Sequence, residues 1–472
     1  MADQPPASTD RPNLLLLFPD QWRGDWLGCQ DGPRPYGAAP VATPNIDRLA
    51  QRGTRFRRLY TNSPVCAPAR ACLALGNARH RTGVWHNHDD TDPAETTLFN
   101  RLQAAGYRTL TCGKNDLHKR SDDYNDTGWA PRLAAYGFCD AIDQRGKMNA
   151  GRAALHAGGA YLTYLRDHDL AQAHYDDYAA RQADPYTYAT APWPTPLPRH
   201  AFTDDFCGRC ALELLDRTPR DQPWCLWVNF PGPHDPHDPP RELQQRYDDV
   251  DFPPPVNGEA EKNGQPIDHT QLRRNYAADC QGIDDWVGWI IDAVEQRGEL
   301  ENTIVIFFSD HGEMLGDHGR WAKCTWYEPS VHVPLIVAGP GIKAGQVSDA
   351  LVELTDVHAT CLELAGAPVP DGLDTRSFAP VLRGEADAHR DAAVSALDNW
   401  RMITDERWKL VRQVETDRIR NVEPTILIDR AADGAETTNV AVQHADVVAR
   451  LSKTLDERSP TDLRPRNGAI AF

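Results

Sequence analysis

The sequence contains no apolar run of about 18 residues or more, the length that a membrane-spanning helix needs. It is also short of positive charge, because 50 Lys and Arg stand against 68 Asp and Glu, for a formal net charge of -18. Nucleic-acid binding requires clustered Lys and Arg to neutralise phosphates. We therefore expect no membrane and no nucleic acid among its partners. A local cationic pocket for a small anion remains compatible with this balance.

We also expect no secretion signal. The first residues, MADQPPASTDRPN, are polar, and the apolar run from Leu14 to Phe18 is too short for the core of a signal peptide. We interpret that run as a buried first strand and expect a cytoplasmic protein. The 11 cysteines are odd in number and scattered along the chain, which favours reduced thiols over a disulfide framework.

What the chain does contain is enough apolar sequence for a large core. It has 472 residues, of which 40% are hydrophobic, as in a large α/β enzyme of one or two domains. Strand-like and helix-like segments alternate, which predicts a large, mostly parallel sheet sandwiched by helices. We predict a catalytic α/β domain over 11–385, with an irregular substrate-loop insertion over 128–200. A small C-terminal subdomain of antiparallel strands plus a helix is predicted over 386–472.

One short stretch, NSPVCAPARACLALG, raises a chemical question about Cys66. The thiol could be a buried core group, a disulfide partner or a nucleophile. Helical spacing from Arg70 onward places Cys66 at or just before the start of a helix. That position lowers the pKa of a thiol and favours bound anions.

Polar residues follow several of the predicted buried strands, at the edge where α/β sheets place their sites. Carboxylate and amide oxygens with an imidazole can hold a divalent cation, and lysines and histidines can bind an anion and donate protons. Each residue alone is weak evidence, since a lone Asp after a strand is more often a helix cap. The set is Asp20, Gln21, Asp310 and His311, with Lys114, His234 and Lys323.

The stretch from Cys66 to Arg70 resembles the C-x-P-x-R signature of type I sulfatases in the alkaline phosphatase superfamily. Further segments from residue 11 to residue 445 resemble that family in the same order: PNLLLLFPDQ, TPNIDRLAQRGTRF, GYRTLTCGK, FPGPHDPHDPP, SDHGEMLGDHGRWAK and ETTNVA. The resemblance implies an alkaline-phosphatase-like fold and a sulfuric ester hydrolase.

The resemblance also implies roles for individual residues. Cys66 would be oxidised by a separate formylglycine-generating enzyme to Cα-formylglycine, whose hydrate attacks the sulfur. One divalent cation would be bound, with calcium expected and manganese or another ion as the alternative. Its implied ligands are Asp20, Gln21, Cys66, Asp310 and His311. Arg70 would orient the hydrate, and the implied groups that bind sulfate oxygens and protonate the leaving group are Lys114, His234 and Lys323.

Four departures from the family pattern matter. Gln21 replaces a second Asp, and His311 replaces the frequent Asn. The usual Gly-Lys-x-His becomes Gly-Lys-x-Asp, so the base is either Asp116 or His118; a similar motif occurs in the branch that resembles arylsulfatase K. Finally, the Leu-Thr-Gly that usually follows the signature is Ala-Leu-Gly at 74–76.

The sequence is compatible with three functions. The first is a sulfatase that cleaves the sulfate monoester of a carbohydrate or small organic alcohol, with a small sulfated sugar as the expected substrate. The second is a phosphonate monoester or phosphodiester hydrolase on the same scaffold. The third is an inactive relative that binds a sulfated glycan. A homo-oligomer is compatible with all three.

Overall fold

A computed structural model describes residues 11–31, 35–37, 39–121, 123–183, 189–262, 265–414 and 422–460. The polar segment 1–10 and the end of the predicted C-terminal subdomain, 461–472, lie outside the described residues.

The strands of the described residues are β1 (Asn13–Leu17), β2 (Gly53–Tyr60), β3 (Arg108–Gly113), β4 (Asp140–Asp143), β5 (Trp224–Asn229), β6 (Glu261–Lys262), β7 (Gln265–Pro266), β8 (Thr303–Phe308), β9 (His332–Ala338), β10 (Gln346–Ser348), β11 (Val352–Glu353), β12 (Ala393–Leu397), β13 (Trp400–Thr404), β14 (Trp408–Gln413) and β15 (Thr425–Asp429).

The α-helices of the same residues are α1 (Pro44–Arg52), α2 (Cys66–Leu75), α3 (Arg79–Thr82), α4 (Leu98–Ala104), α5 (Pro131–Ala135), α6 (Lys147–Ala153), α7 (Ala160–Asp167), α8 (Ala171–Gln182), α9 (Thr203–Arg217), α10 (Arg241–Gln244), α11 (His269–Gln296), α12 (Glu328–Val331), α13 (Asp356–Leu364), α14 (Ala379–Leu382) and α15 (Ala445–Arg458).

The large sheet has the strand order β10-β2-β9-β8-β1-β5-β3-β4, with β11 also paired to β2. Its pairs are parallel except those that β9 makes with β2 and β8. The central strand β1 is apolar and buried along its whole length, as expected for a parallel strand covered by helices on both faces. Its residues alternate between two cores, with Leu15 and Leu17 in one and Leu14 and Leu16 in the other. The predicted fold class is confirmed.

This topology determines where the site lies. Strands β1, β5 and β8 are parallel neighbours, in the register Leu14 to Cys225 and Leu14 to Ile304. Their carboxyl ends therefore meet at one edge of the sheet, where α/β folds bind ligands. Asp20, His234 and Asp310 follow the carboxyl ends of β1, β5 and β8, respectively.

A second sheet, β12-β13-β14-β15, is antiparallel throughout, as predicted. Helix α15 covers one face by inserting Leu451 and Leu455 among Ile403 and Leu410. The other face packs against the large sheet, where Met402 shares a core with Tyr60 at the end of β2. The predicted boundary at residue 386 stays a prediction.

The prediction that 128–200 is irregular is wrong. The described part of this segment contains β4, which forms the edge of the large sheet, and helices α5 to α8. In α8 the buried residues are Ala171, His174, Tyr178 and Arg181, a helical spacing of three or four. Their mixed polarity conceals the helix because a His and an Arg occupy half of its buried stripe.

Two expectations from composition can be compared with this fold. All 11 cysteines are free thiols, as predicted. Within the described part of the chain, no helix combines the length and the apolar character needed to cross a membrane.

Candidate active site

Cys66 is the first residue of α2, as the spacing from Arg70 predicts. The preceding residue, Val65, is extended, and every residue of the helix is buried. The amide of Ala67 belongs to the first turn, where N–H groups have no partner within the helix, and it donates to the side-chain oxygen of Asn87 at 3.1 Å. The thiol is therefore held by a rigid, buried helix start instead of a mobile loop.

Three further metal-donor side chains surround this thiol. Cys66 Sγ lies 3.2 Å from His311 Nε2 and 3.8 Å from Asp20 Oδ1. His311 Nε2 lies 3.7 Å from a carboxylate oxygen of Asp20 and 3.7 Å from one of Asp310. These four residues form the metal-donor group: one ligand atom from each falls within 4.8 Å of all the others, and all four are buried. Two carboxylates, an imidazole and a sulfur this close together fit one divalent cation.

The Arg70 guanidinium pairs with both carboxylates of the metal-donor group. It contacts Asp20 Oδ2 at 3.0 Å and Asp310 Oδ2 at 3.1 Å, and all three side chains are fully buried. A further N–H donates to Asn229 Oδ1 at 2.9 Å. Arg70 follows Cys66 by one helical turn, so both project from the same face of α2. The ion pairs raise the pKa of Arg70 above its ordinary value although burial opposes this.

Lys114 enters from the end of β3. Its ammonium group pairs with Asp20 and, at 3.2 Å, with Asp116. Burial lowers the pKa of Lys114, but these carboxylates outweigh it and the pKa lies well above its ordinary value. The preceding Gly113 has φ +81, and a Cβ there would lie 2.0 Å from the carbonyl oxygen of Asn229. Only glycine lets β3 deliver the lysine at this close approach.

The two candidate bases, Asp116 and His118, lie in different surroundings. The Asp116 carboxylate lies between Lys114 and Lys119. Burial raises its pKa, but the two lysines dominate, so the pKa is lowered. His118 is buried, and both of its ring nitrogens are engaged, Nδ1 with Asp123 at 3.0 Å and Nε2 with Asp143 at 2.7 Å.

His234 and Lys323 form the partly exposed side of the site. His234 Nε2 lies 2.6 Å from Lys323 Nζ, and its Nδ1 lies 3.2 Å from a carboxylate oxygen of Asp235. Lysine has only donors, so His234 Nε2 accepts. Lys323 also donates to the side-chain oxygen of Gln21. Burial lowers the pKa of Lys323, but nearby negative groups, with Cys66 first, raise it above its ordinary value.

The Gln21 side chain is placed differently from the other predicted ligands. Its amide contacts Lys323, Asp235 and Glu313, while its backbone N–H donates to Asp310 at 3.0 Å. The side chain thus contacts Lys323, while the backbone of the same residue contacts the metal-donor group.

The charges converge on the thiol of Cys66. Burial has the largest influence and raises its pKa, and the Asp20 carboxylate acts in the same direction. The positive charges outweigh both, so the pKa of the thiol lies well below its ordinary value. The lysines responsible are Lys114, Lys119 and Lys323. A site that stabilises a thiolate also stabilises another anion at the same place.

Five residues of this site were not predicted from the sequence: Asn87, Lys119, Asn229, Asp235 and Glu313. Asn229 ends β5 and Asp235 follows the same strand, while Glu313 follows β8. The rule that polar residues cluster past the carboxyl ends of parallel strands could have found these three. Asn87 and Lys119 lie in loops and carry no such signal.

A buried thiol, a metal-donor group and three lysines lie together at the carboxyl edge of a mostly parallel sheet, an arrangement that suits the hydrolysis of esters of tetrahedral anions. Residues 12–367 match the family described as Sulfatase, and residues 316–460 match the one described as N-sulphoglucosamine sulphohydrolase, C-terminal. The chain belongs to the sulfatase family, and it is a sulfatase enzyme.

Individual relatives agree with this assignment. The chain is 31% identical to choline-sulfatase from Rhizobium meliloti (strain 1021), over 92% of this chain and 83% of that protein. It is 27% identical to arylsulfatase K from Homo sapiens, over 94% of this chain and 81% of that protein. Among solved structures, phosphonate monoester hydrolase of Agrobacterium radiobacter superimposes with a TM-score of 0.75 and 25% identity, covering 95% of each chain.

Proposed function

We propose that this sulfatase cleaves the sulfate monoester of a carbohydrate or small organic alcohol through a formylglycine formed from Cys66. One observation supports the proposal. Cys66 is the first residue of a buried helix, and its side chain lies among the other metal-donor residues and close to Lys114, Lys119 and Lys323. A sulfur nucleophile, once bonded to sulfate, has no internal route to expel it, whereas an aldehyde hydrate does.

The reaction has two chemical steps, and rehydration of the aldehyde follows them. One hydroxyl of the hydrated formylglycine attacks the sulfur, its proton passes to a base, and the S–O bond to the alcohol breaks as the alcohol takes up a proton. The second hydroxyl then loses its proton, the carbonyl re-forms, and sulfate leaves. Water adds to the aldehyde to restore the hydrate.

The residues around Cys66 have distinct tasks in this scheme. Lys114 and Lys323 balance the charge on the sulfuryl oxygens. Lys323 and His234 share a proton between Nζ and Nε2, and this pair would donate it to the departing alcohol. Asp116 is held as a carboxylate by its two lysines and serves as the base for the hydrate, in the position where the family usually has His.

Asp20, Gln21, Cys66, Asp310 and His311 would hold one divalent cation. When bound, such an ion polarises a sulfuryl oxygen and favours the ionised hydrate. Formylglycine contributes oxygen in place of sulfur, so the donors become mainly oxygen, which suits calcium; the His311 nitrogen also suits manganese.

The similarity to a phosphonate monoester hydrolase supports a second candidate, hydrolysis of phosphonate monoesters or phosphodiesters. These esters, like sulfate monoesters, carry one negative charge on a tetrahedral centre. The similarity to choline-sulfatase and to arylsulfatase K favours the sulfatase.

A direct comparison of substrates tests this choice. We expect kcat/KM for an aryl sulfate to exceed that for a phosphonate monoester and a phosphodiester with the same leaving group by about tenfold or more, or about 1.4 kcal/mol of transition-state binding. The control is the same set of assays on Cys66→Ala, which subtracts contaminating hydrolases. Higher kcat/KM on either phosphorus ester would favour the second candidate.

The identity of the base gives a separate prediction. Asp116→Ala is expected to lower kcat by about 10²- to 10⁴-fold, the usual contribution of a general base. His118→Ala should instead lower the melting temperature, because it leaves Asp143 buried without its partner, at a cost of about 3–5 kcal/mol.

Steady-state kinetics and thermal melts on both variants separate the roles. Asp116→Asn is the matched control for Asp116, since it keeps the shape and removes the charge. Normal kcat in Asp116→Ala together with a crippled, well-folded His118→Ala would transfer the role to His118.

We further propose a cytoplasmic setting, in which the substrate is a short sulfated sugar or a similar small ester and Cys66 is modified by a formylglycine-generating enzyme. We expect the mature protein to be recovered from the cytoplasmic fraction of its host and to carry the aldehyde. Recovery only from an extracytoplasmic fraction would contradict it.

A further inference from the structure

The side chain of Gln21 is enclosed by three ionisable side chains. Its Nε2 donates to Asp235 Oδ1 at 3.0 Å and to Glu313 Oε2, and its Oε1 accepts from Lys323. Residue 21 itself has φ +72, and its carbonyl oxygen accepts from the Tyr276 hydroxyl at 2.7 Å. The backbone is therefore fixed on both sides, and the amide cannot choose other neighbours by a small shift.

The hydrogen-bond inventory of an amide matches these neighbours. A glutamine amide has two N–H donors and an oxygen with two lone pairs. Both donors are used, one on each carboxylate. Among the described residues, Lys323 is the side chain that donates to Oε1, which leaves a lone pair of that oxygen for a bound cation.

Neighbouring charge determines which way the amide points. If the group were rotated by half a turn, its oxygen would face two carboxylates and its N–H groups would face an ammonium. Every contact would then join like with like, so only the orientation described is compatible with Asp235, Glu313 and Lys323.

The two carboxylates are themselves held in place. Glu313 Oε1 accepts from the backbone N–H of Leu315 at 3.0 Å and of Ala322 at 2.7 Å, which leaves Oε2 for Gln21. Asp235 lies against His234 Nδ1. Glu313 and Asp235 are buried, so neither can turn to solvent if residue 21 stops donating.

We propose that Asp235 and Glu313 are positioning residues that require an amide at residue 21 and direct its oxygen towards Lys323. This requirement explains why residue 21 is Gln, at the position where the sulfatase pattern has a second Asp. A carboxylate at residue 21 would be a stronger cation ligand, yet here it would face two buried carboxylates. The role assigned to the Gln21 oxygen rests on the proposed function; the need for an amide does not.

A charge-exchange cycle tests the proposal. Gln21→Glu is expected to lower the melting temperature in chelator by several degrees and to reduce cation affinity and kcat/KM by about 10- to 100-fold, as loss of a ligand-orienting contact does. Glu313→Gln is also expected to lose stability, because its oxygen stays on the two backbone N–H groups and its own N–H groups then oppose those of Gln21.

The melting temperature of the double variant is the decisive measurement in this cycle. In Gln21→Glu with Glu313→Gln, the amide at 313 keeps its oxygen on Leu315 and Ala322 and donates to the new carboxylate. The pair is complementary again, so the double variant should melt at a higher temperature than the sum of the two single losses predicts. Adding Asp235→Asn removes the one repulsive contact that remains and should raise the melting temperature further.

Gln51→Glu, on the exposed surface of α1, is the matched control and should change nothing. Melting is measured in chelator by calorimetry, and calcium and manganese affinities by titration calorimetry, so the result is independent of turnover. Strictly additive losses, or a Gln21→Glu protein as stable as wild type, would overturn the proposal. If Gln21→Glu fails to fold, folding of the double variant supports it, and failure of the double while Glu313→Gln folds overturns it. Loss of the proposed sulfatase reaction alone would leave the melting cycle unchanged.

Discussion

Cys66→Ala is expected to abolish turnover, with a loss on the order of 10⁴-fold or more, because removing the nucleophile of a covalent mechanism removes most of the catalysis. The variant should remain folded, since alanine fits a fully buried helix start without a new polar group. Cys72→Ala is the matched control: the same substitution in the same helix, at a buried thiol outside the metal-donor group. It should keep kcat and lose only modest stability.

Mass spectrometry of the Cys66 peptide from the native host checks the chemistry directly. The peptide is expected to carry an aldehyde in place of the thiol, and a hydrazide probe should label wild type but not Cys66→Ala. A fully active enzyme with an intact thiol would refute the formylglycine mechanism. Partial labelling would measure how well the Ala-Leu-Gly that follows the signature supports modification, with activity proportional to the labelled fraction.

Removal of the divalent cation is expected to have the second largest effect. After exhaustive chelation, kcat should fall on the order of 10³-fold or more, since a bound cation supplies several kcal/mol of charge stabilisation. Calcium, or manganese as the alternative, should restore it. A cation that binds only the folded protein should add about 2.7 kcal/mol to the free energy of unfolding at about 100 times its Kd.

Asp310→Asn tests the same site without a chelator. It keeps a hydrogen-bond acceptor for Arg70 but removes one of the two carboxylates of the metal-donor group. We expect weaker cation binding by titration calorimetry and a matching loss of kcat/KM. Asp167→Asn, on the exposed end of α7, is the control. Full activity of chelated wild type, with no cation found by elemental analysis, would contradict the metal site.

Much of this architecture follows from local sequence. Apolar runs such as Leu14 to Leu17 identify buried parallel strands, because a strand covered on both faces has no polar side to display. Parallel strands gather their carboxyl ends at one edge, so Asp20 and Asp310, which are far apart along the chain, are placed in one site by the pattern of strands alone. The helix that starts at Cys66 is equally predictable from spacing.

Other features depend on contacts that no local pattern records. The different surroundings of Asp116 and His118 are created by Lys119, Asp123 and Asp143, which contact their polar atoms. The helices hidden in 128–200 bury polar residues beside apolar ones, so periodicity of hydrophobicity does not reveal them.

Gln21 shows most clearly the difference between what the sequence determines and what the tertiary structure determines. Sequence alone identifies it as a polar residue after the first strand and as a departure from the two-aspartate pattern. Only the tertiary structure shows that its neighbours include Asp235 and Glu313, 214 and 292 residues further along the chain. A hydrogen bond depends on the direction and charge of groups that folding brings together, and the spacing of residues within one strand or helix carries no information about them.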